Sequence, residues 1–131
     1  MKESLELTAT FKATPQAIYD AWLDSAGHEA MTGGGATCSQ EVGAAHTAWD
    51  GYITGENLAL TPHSEIVQTW RTSEFASDDE DSKLIVRLEA VEGGCAVTLI
   101  HTHIPEGQTQ YVQGWEDHYF APMREHFGTL D

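Results

Sequence analysis

The chain has 131 residues, of which 40% are hydrophobic, and its 21 acidic residues against 6 lysines and arginines give a formal net charge of −15. This length and composition are typical of one globular domain, which we place at residues 1–131, and they exclude a disordered chain. The negative charge excludes nucleic acid and anionic membranes as partners, because binding either requires cationic side chains that neutralise phosphates.

The N-terminal sequence carries no sign of a targeting segment. It alternates in polarity, and no apolar run in the chain approaches the length that crosses a bilayer, so we expect a cytoplasmic protein. Cys38 and Cys95 have no CxxC or metal-ligand spacing, and we expect both thiols to be free. The scattered carboxylates are either a solubility adaptation, which we favour, or an acidic surface for a partner or a cation.

The N-terminal part of the chain is predicted to contain one strand and two helices. Residues 4–11 alternate apolar and polar side chains, the pattern of a strand with one buried face. Thr14 followed by Pro15 is typical of a helix start, and three consecutive glycines must end any helix before them. The predicted elements are a strand Ser4–Phe11, a helix from Pro15 to about Leu23, and a short helix that begins at Asp24 or Ser25, carries His28 and ends before Gly33-Gly34-Gly35.

The middle of the chain is predicted to form strands separated by short turns. Asp50-Gly51 and Gly93-Gly94 mark tight turns, and the acidic segment Asp78–Asp81 predicts a solvated hairpin loop. Short connections favour antiparallel pairing. The predicted strands are Ala36–Gln40 and His46–Trp49, both short and weak, followed by Tyr52–Leu60, Glu65–Arg71, Ser82–Ala90 and Cys95–His103.

The strongest periodic pattern lies at the C-terminal end. Apolar and aromatic side chains recur at helical spacing from Trp115 to Phe127, which predicts a long helix from Gly107 to Phe127. Pro122 lacks an amide donor, so a bend is expected near it. This helix is the only element long enough to cover the sheet, and an imperfect fit between them leaves an internal cavity. The predicted fold class is α+β, a curved antiparallel sheet wrapped around the C-terminal helix.

Five segments of the chain, in this order, resemble a known family. They are FKATPQAIYDAWLD at Phe11–Asp24, WDG at Trp49–Gly51, IVQTWR at Ile66–Arg71, VTLIHTHIP at Val97–Pro105, and GWEDHYFAPMREHF at Gly114–Phe127. The chain resembles the bacterial single-domain members of the START-like superfamily, also called SRPBCC, in the branch similar to the activator of the 90-kDa heat-shock-protein ATPase. The resemblance covers nearly the whole chain and implies a helix-grip fold.

For function, the resemblance implies several possibilities. Members of the superfamily include lipid and hormone binders, polyketide cyclases and aromatases, and the co-chaperone activator. That activator also depends on a separate N-terminal domain, which these 131 residues do not include, so we do not expect this chain alone to stimulate the chaperone directly. Gly33-Gly34-Gly35 stands where the family often has an aromatic-containing segment, and we expect a wider or more mobile cavity entrance there.

The pocket candidates are mostly aromatic. Three tryptophans from three elements are expected to converge between the sheet and the helix, as walls of a ligand pocket or as core filling. Two methionines are further candidates, because thioether side chains adapt to irregular spaces. The inward stripe of the long helix would form the pocket floor. The residues are Trp22, Trp70, Trp115, Met31, Met123 and, on the stripe, His118 and Tyr119.

The polar candidates are three histidines, a glutamine and a tyrosine. His101 and His103 lie two apart on a strand and are expected to share a face, with His118 opposite them on the helix. Imidazoles so arranged suit a metal ion, acid and base catalysis, or polar contacts in the core. We assign no metal and no cofactor, and expect His101 and His118 to orient a ligand. Gln68 and Tyr52 are placed in the same pocket.

The sequence contains no nucleophile elbow, phosphate loop or calcium loop. We therefore expect a protein, monomeric or homodimeric, that binds a small hydrophobic or aromatic molecule between the sheet and the C-terminal helix. Two other functions remain open. One is an enzyme of the cyclase, dehydratase or hydrolase kind, with His101 and His118 as acid and base. The other is a co-chaperone or stress-response interaction domain.

Overall fold

The computed structural model describes residues 3–129. Its main element is a curved, open sheet of six antiparallel strands in the order β1-β6-β5-β4-β3-β2. This confirms the α+β class and the antiparallel pairing predicted from the short turns. The strands are β1 Glu3–Phe11, β2 Ala45–Ala48, β3 Ile53–Thr61, β4 Glu65–Thr72, β5 Ser82–Val91 and β6 Gly94–Ile104.

Two short helices follow β1 and are capped as the sequence predicts. Helix α1, Pro15–Trp22, begins where the Thr14 hydroxyl accepts a hydrogen bond from the amide of residue 17 at 3.1 Å. Helix α2, Ser25–Thr32, has Asp24 as its N-cap and ends at Gly33, whose φ of 91° is readily accessible only to glycine.

The predicted strand Ala36–Gln40 is wrong. Only one isolated bridge forms there, between Thr37 and Thr47. The Ser25 hydroxyl of α2 contacts both backbone groups of Cys38, accepting from its amide at 2.9 Å and lying 3.3 Å from its carbonyl. Residues 36–40 are therefore held against helix α2 and do not add a strand, so the sheet ends at β2. β2 itself stops at Ala48, because the backbone turns at the next residue.

The C-terminal helix consists of α3 Tyr111–Trp115, a π-helical turn Glu116–Phe120 and α4 Ala121–Phe127. It begins later than predicted, because residues 105–109 form turns. Pro122 lies in the first turn of α4, where a missing amide donor is tolerated, and the wider π-helical turn precedes it. The expected irregularity therefore lies one turn before the proline. No helix among residues 3–129 is long and apolar enough to cross a membrane.

The prediction that His101 and His103 share a face is wrong. The pairing of β1 with β6 shifts register between Glu3 and Leu5, which is a β-bulge. At this irregularity His103 adopts a φ of 61° and is exposed, with its Nδ1 2.9 Å from the Thr102 hydroxyl. His101 is fully buried.

Gly55 of β3 is a close-approach position. The His46 ring extends across it, and its Nε2 lies 3.1 Å from the Thr69 carbonyl on β4. A Cβ at Gly55 would overlap both groups. We predict that Gly55→Ala lowers the free energy of unfolding by about 3 kcal/mol, through overpacking and loss of this bond. Urea unfolding measures the change.

Thr54→Ala, at the exposed neighbouring position, is the matched control and should change stability by no more than about 0.5 kcal/mol. Equal stabilities of the two variants would contradict the close approach.

Candidate functional site

An aromatic cluster fills the space between the sheet and the C-terminal helix. Trp70 of β4 packs on Trp115 at 5.2 Å between ring centroids, and Trp115 packs on Tyr119 at 4.9 Å. Trp22 of α1 lies 5.0 Å from Tyr119. All four rings are at most 4% exposed. The three tryptophans therefore converge as predicted, and their own rings occupy much of the space in which the cavity was expected.

Gln68 belongs to a buried chain of hydrogen bonds. Its Oε1 accepts from the Trp22 indole at 3.1 Å, and its Nε2 donates to Asn57 Oδ1 at 2.9 Å. The Asn57 amide donates in turn to the carbonyls of Ser39 and Glu41, both at 2.9 Å. Protein groups thus satisfy the Gln68 amide, and it needs no ligand as a partner.

A second polar contact fixes the middle of the C-terminal helix. His28 Nδ1 donates to the Trp22 carbonyl at 2.8 Å, so its Nε2 carries the lone pair that accepts from the Tyr119 hydroxyl at 2.7 Å. Burial lowers the pKa of His28 to about 4 and raises that of Tyr119 well above its usual value. Both groups are therefore neutral near pH 7.

His101 anchors the start of the same helix. The Trp115 indole can only donate, so His101 Nδ1 accepts from it at 3.2 Å and the ring proton resides on Nε2, 2.7 Å from the Ser82 hydroxyl. That hydroxyl donates to the Trp70 carbonyl. Burial lowers the pKa of His101 to about 4. Both ring nitrogens of His101 thus have hydrogen-bond partners in the protein, Trp115 and Ser82.

One cleft of about 560 Å³ lies where the Trp49–Gly51 turn, the β3 and β4 ends and the first turns of the C-terminal helix meet. The Tyr111 hydroxyl closes one side, 2.7 Å from the Thr72 hydroxyl. Six aromatic side chains dominate the lining. The lining residues are Trp49, Tyr52, Ile53, Trp70, Thr72, Glu74, Gln110, Tyr111, Gln113, Gly114, Trp115, Asp117, His118 and Tyr119.

The structure divides the ten predicted site residues into two groups. Tyr52, Trp70, Trp115, His118 and Tyr119 line the cleft. The other five are buried outside its lining, namely Trp22, Met31, Gln68, His101 and Met123. The two imidazoles proposed as a pair are therefore not both in the cleft, where His118 is exposed at the rim and its ring lies 5.2 Å from that of Trp49.

Trp49 is the principal lining residue that the sequence did not indicate. Trp49, Asp50 and Gly51 have consecutive φ values of 49°, 58° and 91°, a left-handed turn that is rare for the first two residue types. The sequence feature that could have indicated this turn is the glycine run Gly33-Gly34-Gly35, which packs against it. A Cβ on Gly34 would overlap the Trp49 indole, and the Gly35 amide donates to Asp50 Oδ1 at 3.2 Å.

The glycine run therefore forms a close-packed wall against this turn, where a wider entrance was expected. The nitrogen of the Trp49 indole, Nε1, is buried and has no hydrogen-bond partner. Among the described residues it is the one buried side-chain nitrogen or oxygen of which this is true. A bound molecule can satisfy an unpaired buried donor only where the side chain turns that donor towards it.

A curved antiparallel sheet, a C-terminal helix laid across it and a cleft at their junction define a protein of the START-like, helix-grip class. The family model described as "Activator of Hsp90 ATPase homolog 1-like protein" matches residues 12–128. The chain belongs to this family.

Curated relatives and solved structures agree with this assignment. An activator of 90 kDa heat shock protein ATPase homolog from Dictyostelium discoideum is 26% identical over 95% of this chain and 33% of the relative. Homolog 1 of that activator from Homo sapiens is 27% identical over 95% of this chain and 37% of the relative. The chain thus spans about a third of their length.

Two solved structures show the same fold. An HSP90 activator from Plasmodium falciparum superposes with a TM-score of 0.83 at 23% identity, covering 93% of this chain and 94% of that one. An Aha1 dimer from Colwellia psychrerythraea superposes with a TM-score of 0.78 at 16% identity, covering 98% of this chain and 99% of that one.

Three histidines, His28, His46 and His101, are buried, and they predict a loss of stability in mild acid. Burial lowers the pKa of all three below the ordinary 6.5, to about 4 for His28 and His101. As the pH falls below 6.5 the unfolded chain takes up protons that the folded protein does not, until the folded rings protonate near pH 4. Over this pH range, each imidazole lowers the free energy of unfolding by about 1.4 kcal/mol per pH unit. We expect the free energy of unfolding in urea to be at least about 3 kcal/mol lower at pH 5.5 than at pH 7.5.

Variants assign this loss to the buried rings. His101→Gln removes one of these titrating groups and should reduce the difference between the two pH values by about 1.4 kcal/mol. His103→Asn is the control, because His103 is exposed and asparagine tolerates its positive φ. A full-sized pH effect in His101→Gln would refute the assignment.

Proposed function

We propose that the protein binds a small, predominantly aromatic molecule in the cleft beside the C-terminal helix. The observation that carries the proposal is Gly114. It lies inside the C-terminal helix, where glycine costs about 1 kcal/mol relative to alanine. A Cβ built there meets no atom within 4 Å, so the protein itself gives no packing reason for glycine. Its backbone lines the cleft, and the absent side chain leaves room for a ligand.

The remaining walls fit the same ligand class. Trp70, Tyr111 and Trp115 line the cleft with largely buried rings, and the more exposed Trp49 and Tyr52 present flat apolar surface that suits an aromatic ring. Trp49 also carries an unpaired, buried indole N–H, which a ligand acceptor such as a carbonyl oxygen would satisfy if the ring turned it towards the cleft. We place this binding protein in the cytoplasm, as a monomer or homodimer.

Catalysis by a histidine pair receives less support. His118 lines the cleft, whereas both ring nitrogens of His101 are engaged with Trp115 and Ser82. A general base needs a free lone pair within reach of the substrate. Binding is therefore the function that we favour for this cleft.

Filling the cleft tests the proposal. The probe is para-tert-butylacetophenone, an aromatic ketone, titrated against tryptophan fluorescence. We expect saturable binding to the unchanged protein and at least a tenfold loss of affinity in Gly114→Leu, because the new side chain occupies the ligand space. Gly114→Ala is the matched control and should retain most of the affinity.

Both variants should unfold at or above the temperature of the unchanged protein, since they replace a helical glycine. Equal affinity of Gly114→Leu and the unchanged protein would contradict binding in this cleft. If the expected loss of affinity is found, mass spectrometry of small molecules released from the purified protein is the measurement that identifies the physiological ligand.

A second candidate function is action on a chaperone. The family and the printed names of the curated relatives favour it. If this chain carries that activity, adding it in excess will raise the ATPase rate of a 90-kDa heat shock protein. Gly114→Leu is the informative variant, because loss of stimulation would place the chaperone contact at the cleft. An unchanged ATPase rate at saturating chain would contradict this candidate.

A further inference from the structure

We infer that the cleft selects a cationic aromatic ligand, an arylammonium compound, over neutral and anionic molecules of the same shape. This inference rests on the proposed binding function and specifies its ligand class. It follows from the kinds of side chain that line the cleft. Six are aromatic, two are the carboxylates of Glu74 and Asp117, one is the imidazole of His118, and none is a lysine or arginine.

The two carboxylates are held in place on opposite elements. The Tyr52 hydroxyl donates to Glu74, which follows β4, and Gln113 Nε2 donates to Asp117 Oδ1 on the C-terminal helix at 2.8 Å. Burial, together with the neighbouring Glu74, raises the pKa of Tyr52 to about 12, so this hydroxyl remains a donor. The positions of both carboxylates at the cleft are thus restrained by hydrogen bonds.

The three arginines are engaged elsewhere. Arg71 is 3.1 Å from Asp81 and also donates to two loop carbonyls, and Arg87 pairs with Glu65 at 3.1 Å. Arg124 pairs with Glu116. With a formal net charge of −15, the field over the cleft attracts cations and repels anions.

The aromatic walls favour an organic cation over a metal ion. Ring faces attract an ammonium group through the negative face of the π system, most strongly for tryptophan. A calcium or magnesium ion requires about six oxygen ligands, and the cleft offers two carboxylates. The unpaired Trp49 N–H is compatible with an arylammonium that also bears a carbonyl group.

The test compares two isosteres. Para-acetylphenyl trimethylammonium carries a charged nitrogen where para-tert-butylacetophenone carries a carbon, and both keep the ketone. Calorimetric titration at pH 8 should give about tenfold tighter binding of the cation. This preference should shrink between about 0.02 M and about 0.5 M salt, because salt screens exposed charges.

Charge-removing variants locate the preference. Glu74→Gln and Asp117→Asn keep a hydrogen-bond acceptor, and each should weaken the cation at least threefold more than the neutral isostere. Glu6→Gln removes one charge from β1, which contributes no lining residue, and should alter the ratio less than twofold.

The outcomes separate the two proposals. Equal or tighter binding of the neutral isostere overturns the cation preference and leaves the binding function intact. An equal effect of Glu6→Gln and Glu74→Gln overturns the assignment of the preference to the cleft. Absence of binding by both isosteres overturns both proposals.

Discussion

The hydrogen bond from the Trp115 indole to His101 determines how the C-terminal helix meets the sheet. Both groups are buried, and an unpaired buried donor or acceptor costs about 1–3 kcal/mol. The helix therefore cannot slide or rotate along β6 without leaving two groups unpaired. The bond continues through the Ser82 hydroxyl to the Trp70 carbonyl, so it also links β5 to β4. Because burial keeps His101 neutral, the arrangement depends on one tautomer of one ring.

A second anchor, from Tyr119 to His28, lies four residues along the same helix. These two hydrogen bonds lie on one side of the helix and fix both its position along its axis and its rotation. The aromatic rings between them fill the space that a continuous internal tunnel would need. The space that remains is at the end of the helix before the first anchor. There Gly114 contributes no side chain, and the left-handed turn at Trp49 supplies a wall. The position of the cleft is thus a consequence of where the helix is fastened.

Local patterns in the sequence were sufficient for both short helices and for the long strands, because capping and alternation are encoded by neighbouring residues. Interactions between distant residues explain the errors. Ser25 takes the backbone groups of Cys38 that a strand would have used, and a β-bulge turns His103 outwards. Strand alternation placed Gln68 on the inner face correctly, and helical spacing did the same for Trp22. Whether an inner residue lines a cleft or fills the core depends on ring packing, which periodicity does not encode.

The charges of the acidic surface and the carboxylates of the cleft act on a ligand over different distances. Charges scattered over the chain act on a ligand through a field that salt screens within about 10 Å at 0.1 M. They can steer an organic cation towards the cleft at low salt, and they add little at high salt. Glu74 and Asp117 are also exposed and are screened in part, but they line the cleft itself and therefore act on a bound ligand at short range. A solubility adaptation of the exterior and a charge preference of the cleft are therefore compatible, since they operate over different distances. In a concentrated salt solution, the local pair alone would set the selectivity.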